Sequence, residues 1–171
     1  DDTFLVGKVE LTKEHPFIEH FRFVQQFEDE TTVAKLTIPA PAQFIEQFIM
    51  PMNREQTKKY YADDQKLLED IVAGYSVFIK QAYAAGCRNL QLDDCSWGVL
   101  VDPRAELFFG ADQECLKKIK ALLLEINNRV LDAAPADLTI NTHVCRGNFH
   151  STWACEGGYD DVADTLLAQE H

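Results

Sequence analysis

His143 and Cys145 are the residues whose types and spacing most clearly suggest chemistry, because they follow one another at an interval of two. They end an apolar run, residues 138–142, and in a β-strand two such side chains point to the same face. A neutral imidazole and a thiolate at this spacing are ligands that zinc prefers. A turn-forming segment, residues 146–148, then ends the predicted strand. The structural alternative is a small buried cysteine beside an unrelated histidine.

Asp93 and Asp94 are a second candidate group, at the carboxyl end of another predicted strand, residues 89–93. Alternation along this strand places Asp93 on the face opposite Leu92. A carboxylate there could bind a substrate ammonium group or act as a general base. A turn or helix cap is the alternative role. Because neighbouring parallel strands lie about 4.8 Å apart, we expect the two aspartates near the histidine and cysteine described above.

The elements that must position these groups alternate between strands and helices, which predicts an α/β fold with parallel strands and helical crossovers. Asn53 is the expected cap of a long helix and Asp112 that of a later one. Four strands are too few for a closed eight-stranded barrel, so an open sheet and half of a barrel both stay possible. The predicted strands are 4–11, 32–38, 89–93 and 138–145, and the predicted helices are 16–27, 55–85, 112–130 and 159–168.

Composition excludes several classes of function. The chain has 171 residues, enough for one domain with a real core, and its net charge of -12 argues against nucleic acid or anionic lipid as partners. No apolar run approaches the length of a membrane span, and no signal peptide is visible. Five cysteines without dense spacing favour a reducing cytoplasm. Because the chain starts at Asp1 without a methionine, we expect a processed product or a piece of something longer.

Both candidate strand ends resemble signature strands of the cobalamin-independent methionine synthase family, in its catalytic C-terminal barrel. Residues 90–94 (LQLDD) are similar to the family pattern I-Q-I-D-E-P, and residues 141–145 (NTHVC) to T-H-M-C. Residues 95–98 (CSWG) and 146–148 (RGN) are similar to the short single-barrel relatives, and residues 33–41 (VAKLTIPAP) resemble the V-K-G-M-L-T-G-P strand. The resemblance runs in the right order over nearly the whole chain.

This resemblance implies a parallel (β/α)8 TIM-barrel fold, of which residues 1–171 form a single partial domain, roughly half of the barrel. It implies a zinc-dependent S-methyltransferase that moves a methyl group from a methylated folate, or a similar donor, to homocysteine and forms methionine. His143 and Cys145 would be the first two Zn²⁺ ligands. Asp93 matches the aspartate that holds the homocysteine amino group, and Asp94 is taken as a second substrate-binding residue. The family's glutamate ligand and second cysteine ligand would lie beyond this chain.

Other interpretations remain open. One is a truncated, non-catalytic barrel fragment that binds metal, and another is a zinc-dependent hydrolase in which zinc activates water. A third is redox chemistry by Cys145 and Cys155. The expected partners are homocysteine and the methyl donor, with no nucleic acid and no membrane. Because half of a barrel would leave unpaired strand edges and a bare apolar face, we also expect self-association.

Overall fold

The computed structural model describes residues 3–148 and 150–169. Within them the chain has a mixed α/β fold, a three-stranded parallel sheet with eight helices. The strands, in the spatial order β1-β2-β3, are β1 (Leu36–Pro39), β2 (Asn89–Asp93) and β3 (Thr139–His143). The helices are α1 (Pro16–Gln25), α2 (Pro41–Ile49), α3 (Pro51–Thr57), α4 (Asp64–Ala84), α5 (Ser96–Leu100), α6 (Ala105–Phe109), α7 (Gln113–Leu131) and α8 (Asp160–Leu166).

The register of the sheet brings the carboxyl ends of all three strands to one edge. Pro39 of β1 pairs with Asp93 of β2, and Asp93 pairs in turn with His143 of β3. The parallel arrangement predicted from the alternating elements is therefore confirmed. A closed barrel is not formed by the described residues, whose sheet has three strands where the sequence predicted four.

The two faces of the sheet differ in chemistry. Leu90 and Leu92 are almost fully buried beneath the helices, together with Ile38 of the neighbouring strand. On the other face Gln91 is half-buried and Asn141 is exposed. The uncovered face is polar because strand alternation sends the apolar residues to the helical side. The expectation of a bare apolar face is thus wrong. Self-association through the outer edges of β1 and β3, which have no strand partner among the described residues, stays a prediction.

Helix starts follow the capping rules at two positions. The Asp112 carboxylate accepts a hydrogen bond from the backbone N–H of Cys115 at 2.8 Å, so this predicted cap is confirmed. The predicted long helix 55–85 is instead two helices, α3 and α4, and the second begins after Asp63, which accepts from Lys66 N–H. Asn53 does not cap it, because its side-chain amide donates to the carbonyl of Gln47.

The prediction of a strand at residues 4–11 is wrong. Backbone groups of this segment form hydrogen bonds with side chains in and just after α3, and not with the backbone of a neighbouring strand. Tyr61 Oη accepts from Val9 N–H at 2.7 Å, and the Gln56 amide donates to the carbonyl of Leu5 at 2.7 Å. The segment therefore lies over α3 and α4 without joining the sheet. Among the described helices, none combines the length and the apolar character needed to cross a bilayer.

Candidate functional site

Asp93 and His143 lie side by side at the carboxyl edge of the sheet, as the last pair of residues in register between β2 and β3. The backbone ladder continues around them: Ala40 N–H donates to the carbonyl of Asp93 at 2.7 Å, and Asp94 N–H donates to that of His143 at 2.8 Å. The Asp93 residue is half-buried and His143 is exposed, on the uncovered face. The structure thus places these two sequence-predicted residues next to each other on a rigid, accessible edge.

A chain of hydrogen bonds on the uncovered face orients the Asp93 carboxylate. Gln91 donates from its amide nitrogen to Asp93 Oδ1 at 2.8 Å. Lys35 Nζ donates to the amide oxygen of Gln91, also at 2.8 Å. Since Gln91 is held from both sides, Asp93 has a defined orientation, as a carboxylate that binds a cationic group requires.

Cys145 meets a cysteine that sequence reasoning did not place at the site. Its sulfur lies 3.2 Å from the sulfur of Cys95. Gly147 N–H donates to Cys145 Sγ at 3.4 Å. Burial, followed by the hydrogen bond with Cys145, raises the pKa of Cys95 to about 12. The sequence spacing could have predicted this pair, because Cys95 follows Asp93 by two residues just as Cys145 follows His143.

Short contacts on the helical side hold these two cysteines in place. Cys95 N–H donates to the side-chain oxygen of Gln43 on α2 at 3.1 Å. Gly98 of α5 lies directly against the backbone of Cys145, where an added Cβ atom would collide with the carbonyl oxygen. Glycine is therefore required at this position for α5 to approach β3 so closely. The approach fixes Cys95 and Cys145 as neighbours.

Asp94 is fully buried on the helical side of the sheet, with no exposed surface. Its Oδ2 accepts hydrogen bonds from Trp97 Nε1 and from the Asn127 amide, each at 2.7 Å. Burial raises its pKa to about 6. Through Oδ2 the carboxylate joins the end of β2 to α5 and α7, whereas its buried Oδ1 has no hydrogen-bond partner among the described residues. The substrate-binding role of Asp94 stays a prediction.

A second buried carboxylate, Glu46 of α2, lies in the same layer and was not predicted. Ser96 Oγ donates to Glu46 Oε2, and the residue is 3% exposed. Burial is the main cause that raises the pKa of Glu46 to about 7, and the charge of Asp94 adds to it. Glu46 was missed because α2 itself was not predicted.

Asp102 forms hydrogen bonds that hold part of the loop after Cys145. The Asp102 carboxylate pairs with the Arg104 guanidinium at 2.8 Å and accepts from Glu156 N–H at 2.9 Å. The hydrogen bond from Arg104 holds the pKa of Asp102 well below its usual range. Cys155, buried in this loop, donates its N–H to the Arg146 carbonyl. Residues 154–156 of this loop are therefore held against Arg146, Asp102 and Arg104.

The fit of zinc to this site is incomplete. In the part of the chain that the structure describes, no group of three or more histidine, cysteine, aspartate or glutamate side chains is placed to hold a metal ion. Catalytic zinc normally takes three protein ligands. The described residues therefore do not supply a full ligand set, and His143 and Cys145 remain predicted ligands.

Comparison with known proteins adds to this geometry. No family model matches the chain. It is 39% identical over 166 residues to YxjH and 35% identical over 156 residues to YxjG, both uncharacterised proteins of Bacillus subtilis. These matches cover 95% and 90% of this chain but 41% and 39% of the relatives. The chain thus spans about two-fifths of their length.

A solved structure is also similar. It is the crystal structure of a provisionally named vitamin-B12-independent methionine synthase from Listeria monocytogenes, with a TM-score of 0.66 and 31% sequence identity. The match covers 85% of this chain and 42% of that protein. This chain resembles that Listeria protein in both fold and sequence. The likeness agrees with the resemblance drawn from the two strand ends.

Proposed function

We propose that this chain is part of a zinc-dependent S-methyltransferase of methionine biosynthesis, which transfers a methyl group to the thiol of homocysteine. The observation that carries the proposal is the pairing of Asp93 with His143 at the carboxyl edge of the sheet, with Cys145 two residues on. The similarity to the Listeria protein supports the same chemistry. The methyl donor is a methylated folate or a similar compound, and a reducing cytoplasm suits a site built on free thiols.

Asp93 is the proposed binding group for the substrate's ammonium. Homocysteine carries an ammonium, a carboxylate and a thiol, and an ionised carboxylate binds an ammonium through charge-assisted hydrogen bonds. The hydrogen bond from Gln91 keeps the Asp93 carboxylate turned along the uncovered face. The amino end of the substrate is thereby held, which directs its thiol toward the neighbouring strand end.

His143 and Cys145 are the proposed zinc ligands of this chain, with the remaining ligands supplied by parts of the protein outside it. When bound, zinc would keep a coordinated thiol deprotonated at neutral pH, which makes the sulfur nucleophilic. The exposed position of His143 leaves its imidazole accessible to such a metal.

Zinc content of the intact protein tests the ligand assignment. We expect His143→Ala and Cys145→Ser each to lower zinc affinity at least about tenfold, because each removes a direct ligand. The matched controls are His20→Ala and Cys115→Ser, two exposed residues on α1 and α7. Metal analysis after dialysis against a chelator gives the answer. Unchanged zinc in both site variants would refute the assignment.

X-ray absorption at the zinc edge, with and without homocysteine, tests the reaction class. A methyltransferase of this kind gains a zinc–sulfur bond of about 2.3 Å when homocysteine binds.

Asp93→Asn should weaken homocysteine binding by about 1.5 to 3 kcal/mol, roughly ten- to a hundredfold, because it removes a charged partner. Asp164→Asn, an exposed change on α8, is the control. A zinc protein with no new sulfur bond would instead favour a hydrolase.

A further inference from the structure

We propose that Cys95 and Cys145 form a reversible disulfide when the protein meets a peroxide. The two sulfurs are 3.2 Å apart in the reduced state. A disulfide bond is about 2.05 Å long, so the sulfurs need to approach by only about 1 Å. Small side-chain rotations supply such a movement. The oxidation involves Cys95 and Cys145 and needs neither Asp93 nor His143.

The backbone favours this bond because the two cysteines occupy equivalent positions just beyond the ends of two neighbouring strands. Each follows the last register pair, Asp93 with His143, by two residues. Adjacent parallel strands lie about 4.8 Å apart, which is within the Cα separation that disulfides span. The close contact of Gly98 with Cys145 keeps the two segments from moving apart.

The chemistry balances with hydrogen peroxide or an alkyl hydroperoxide as the oxidant. The Cys145 sulfur attacks the peroxide, takes one oxygen as a sulfenic acid, and releases water or an alcohol. The Cys95 sulfur then attacks the Cys145 sulfur, the S–S bond forms, and the sulfenic oxygen leaves as water. Two thiols lose two electrons and two protons, and one peroxide is reduced. Both residues are only half-buried, which gives the oxidant access.

The disulfide would remove Cys145 from metal binding, since a thiolate is the form of cysteine that ligates zinc. This consequence rests on the proposed function, whereas formation of the bond does not. Oxidation and zinc binding would then compete for one sulfur, and the site would be closed under oxidative stress and reopened by reduction.

Non-reducing peptide mapping by mass spectrometry tests the proposal, because trypsin places every cysteine of this chain in a separate peptide. The five peptides are 81–88, 89–104, 105–117, 130–146 and 147–171. After treatment of zinc-free protein with one equivalent of hydrogen peroxide, we expect a linked species of 89–104 with 130–146. Dithiothreitol should convert it back to the two separate peptides.

The matched variants separate this pair from the third cysteine of the region. Cys155→Ser should retain the cross-link, whereas Cys95→Ser and Cys145→Ser should each abolish it, with circular dichroism confirming that the variants fold. A link between 130–146 and 147–171 would overturn the proposal in favour of Cys155. Two unlinked peptides with free thiols in the wild-type protein would also overturn it. Because the protein is zinc-free, a failure of zinc binding leaves this result unaffected.

Discussion

Asp93 and Asp94 are neighbours in sequence and belong to opposite regions of the molecule. Asp93 lies on the uncovered polar face, where Gln91 orients its carboxylate. Asp94 lies in the buried layer under the helices, with Trp97 and Asn127 donating to it. The difference arises at the end of β2, because successive side chains point to opposite faces of a sheet. Asp93 therefore lies on the open face and Asp94 points into the core.

The two faces of the sheet separate accessible polar groups from the buried core that stabilises the fold. The open face carries exposed, hydrogen-bonded polar groups at the strand ends, which are suited to ligands. The covered face carries the apolar core, together with two buried acids whose pKa values are raised to about 6 and about 7. Substitutions on the two faces should therefore have effects of different size and kind.

The largest expected contrast is between Leu92 and its neighbour Gln91. Leu92 is 1% exposed in the core, so Leu92→Ala should lower the free energy of unfolding by about 2 to 5 kcal/mol. Gln91→Ala, on the open face, should lower it by less than about 1 kcal/mol. Urea denaturation of both variants measures the difference. Equal effects would contradict the assignment of the two faces.

A second contrast concerns pH and the buried acid Glu46. Because its pKa in the folded state is about 7, above the ordinary value of 4.5, the folded state loses stability as pH rises through this interval. Glu46→Gln should leave stability unchanged at pH 4 and raise it by about 3 kcal/mol at pH 8. Glu55→Gln, an exposed change of the same type on α3, is the matched control. Urea titrations at both pH values decide; an equal gain at pH 4 and pH 8 would rule out titration as the cause.

The smallest effect is expected at Lys35, which belongs to the open face. Its ammonium donates to Gln91 at 2.8 Å in an exposed position. Lys35→Ala should change the free energy of unfolding by no more than about 0.5 kcal/mol, because surface substitutions of this kind have little effect on stability. Chemical denaturation measures it. A loss above about 1 kcal/mol would mean that the open face also carries stability.

The strands were predictable to the extent that their local pattern was clear. β2 occupies residues 89–93 as predicted, whereas β3 ends at His143, so that Cys145 lies beyond the strand that was expected to carry it. The predicted strand at 4–11 failed because its backbone is held by side chains of Gln56 and Tyr61, distant in sequence. The helix α2 was missed because Pro39 and Pro41 were interpreted only as the end of a strand, whereas Pro41 is the first residue of α2.

The sequence by itself determined which residues end the strands and on which face each lies, since alternation along a strand is a local property. That was enough to place Asp93 beside His143 at one edge of the sheet. Tertiary structure alone decided which face the helices cover, and with it the burial of Asp94 and Glu46. It also decided the contact of Cys95 with Cys145, because pairing between strands depends on a register that joins residues 50 positions apart.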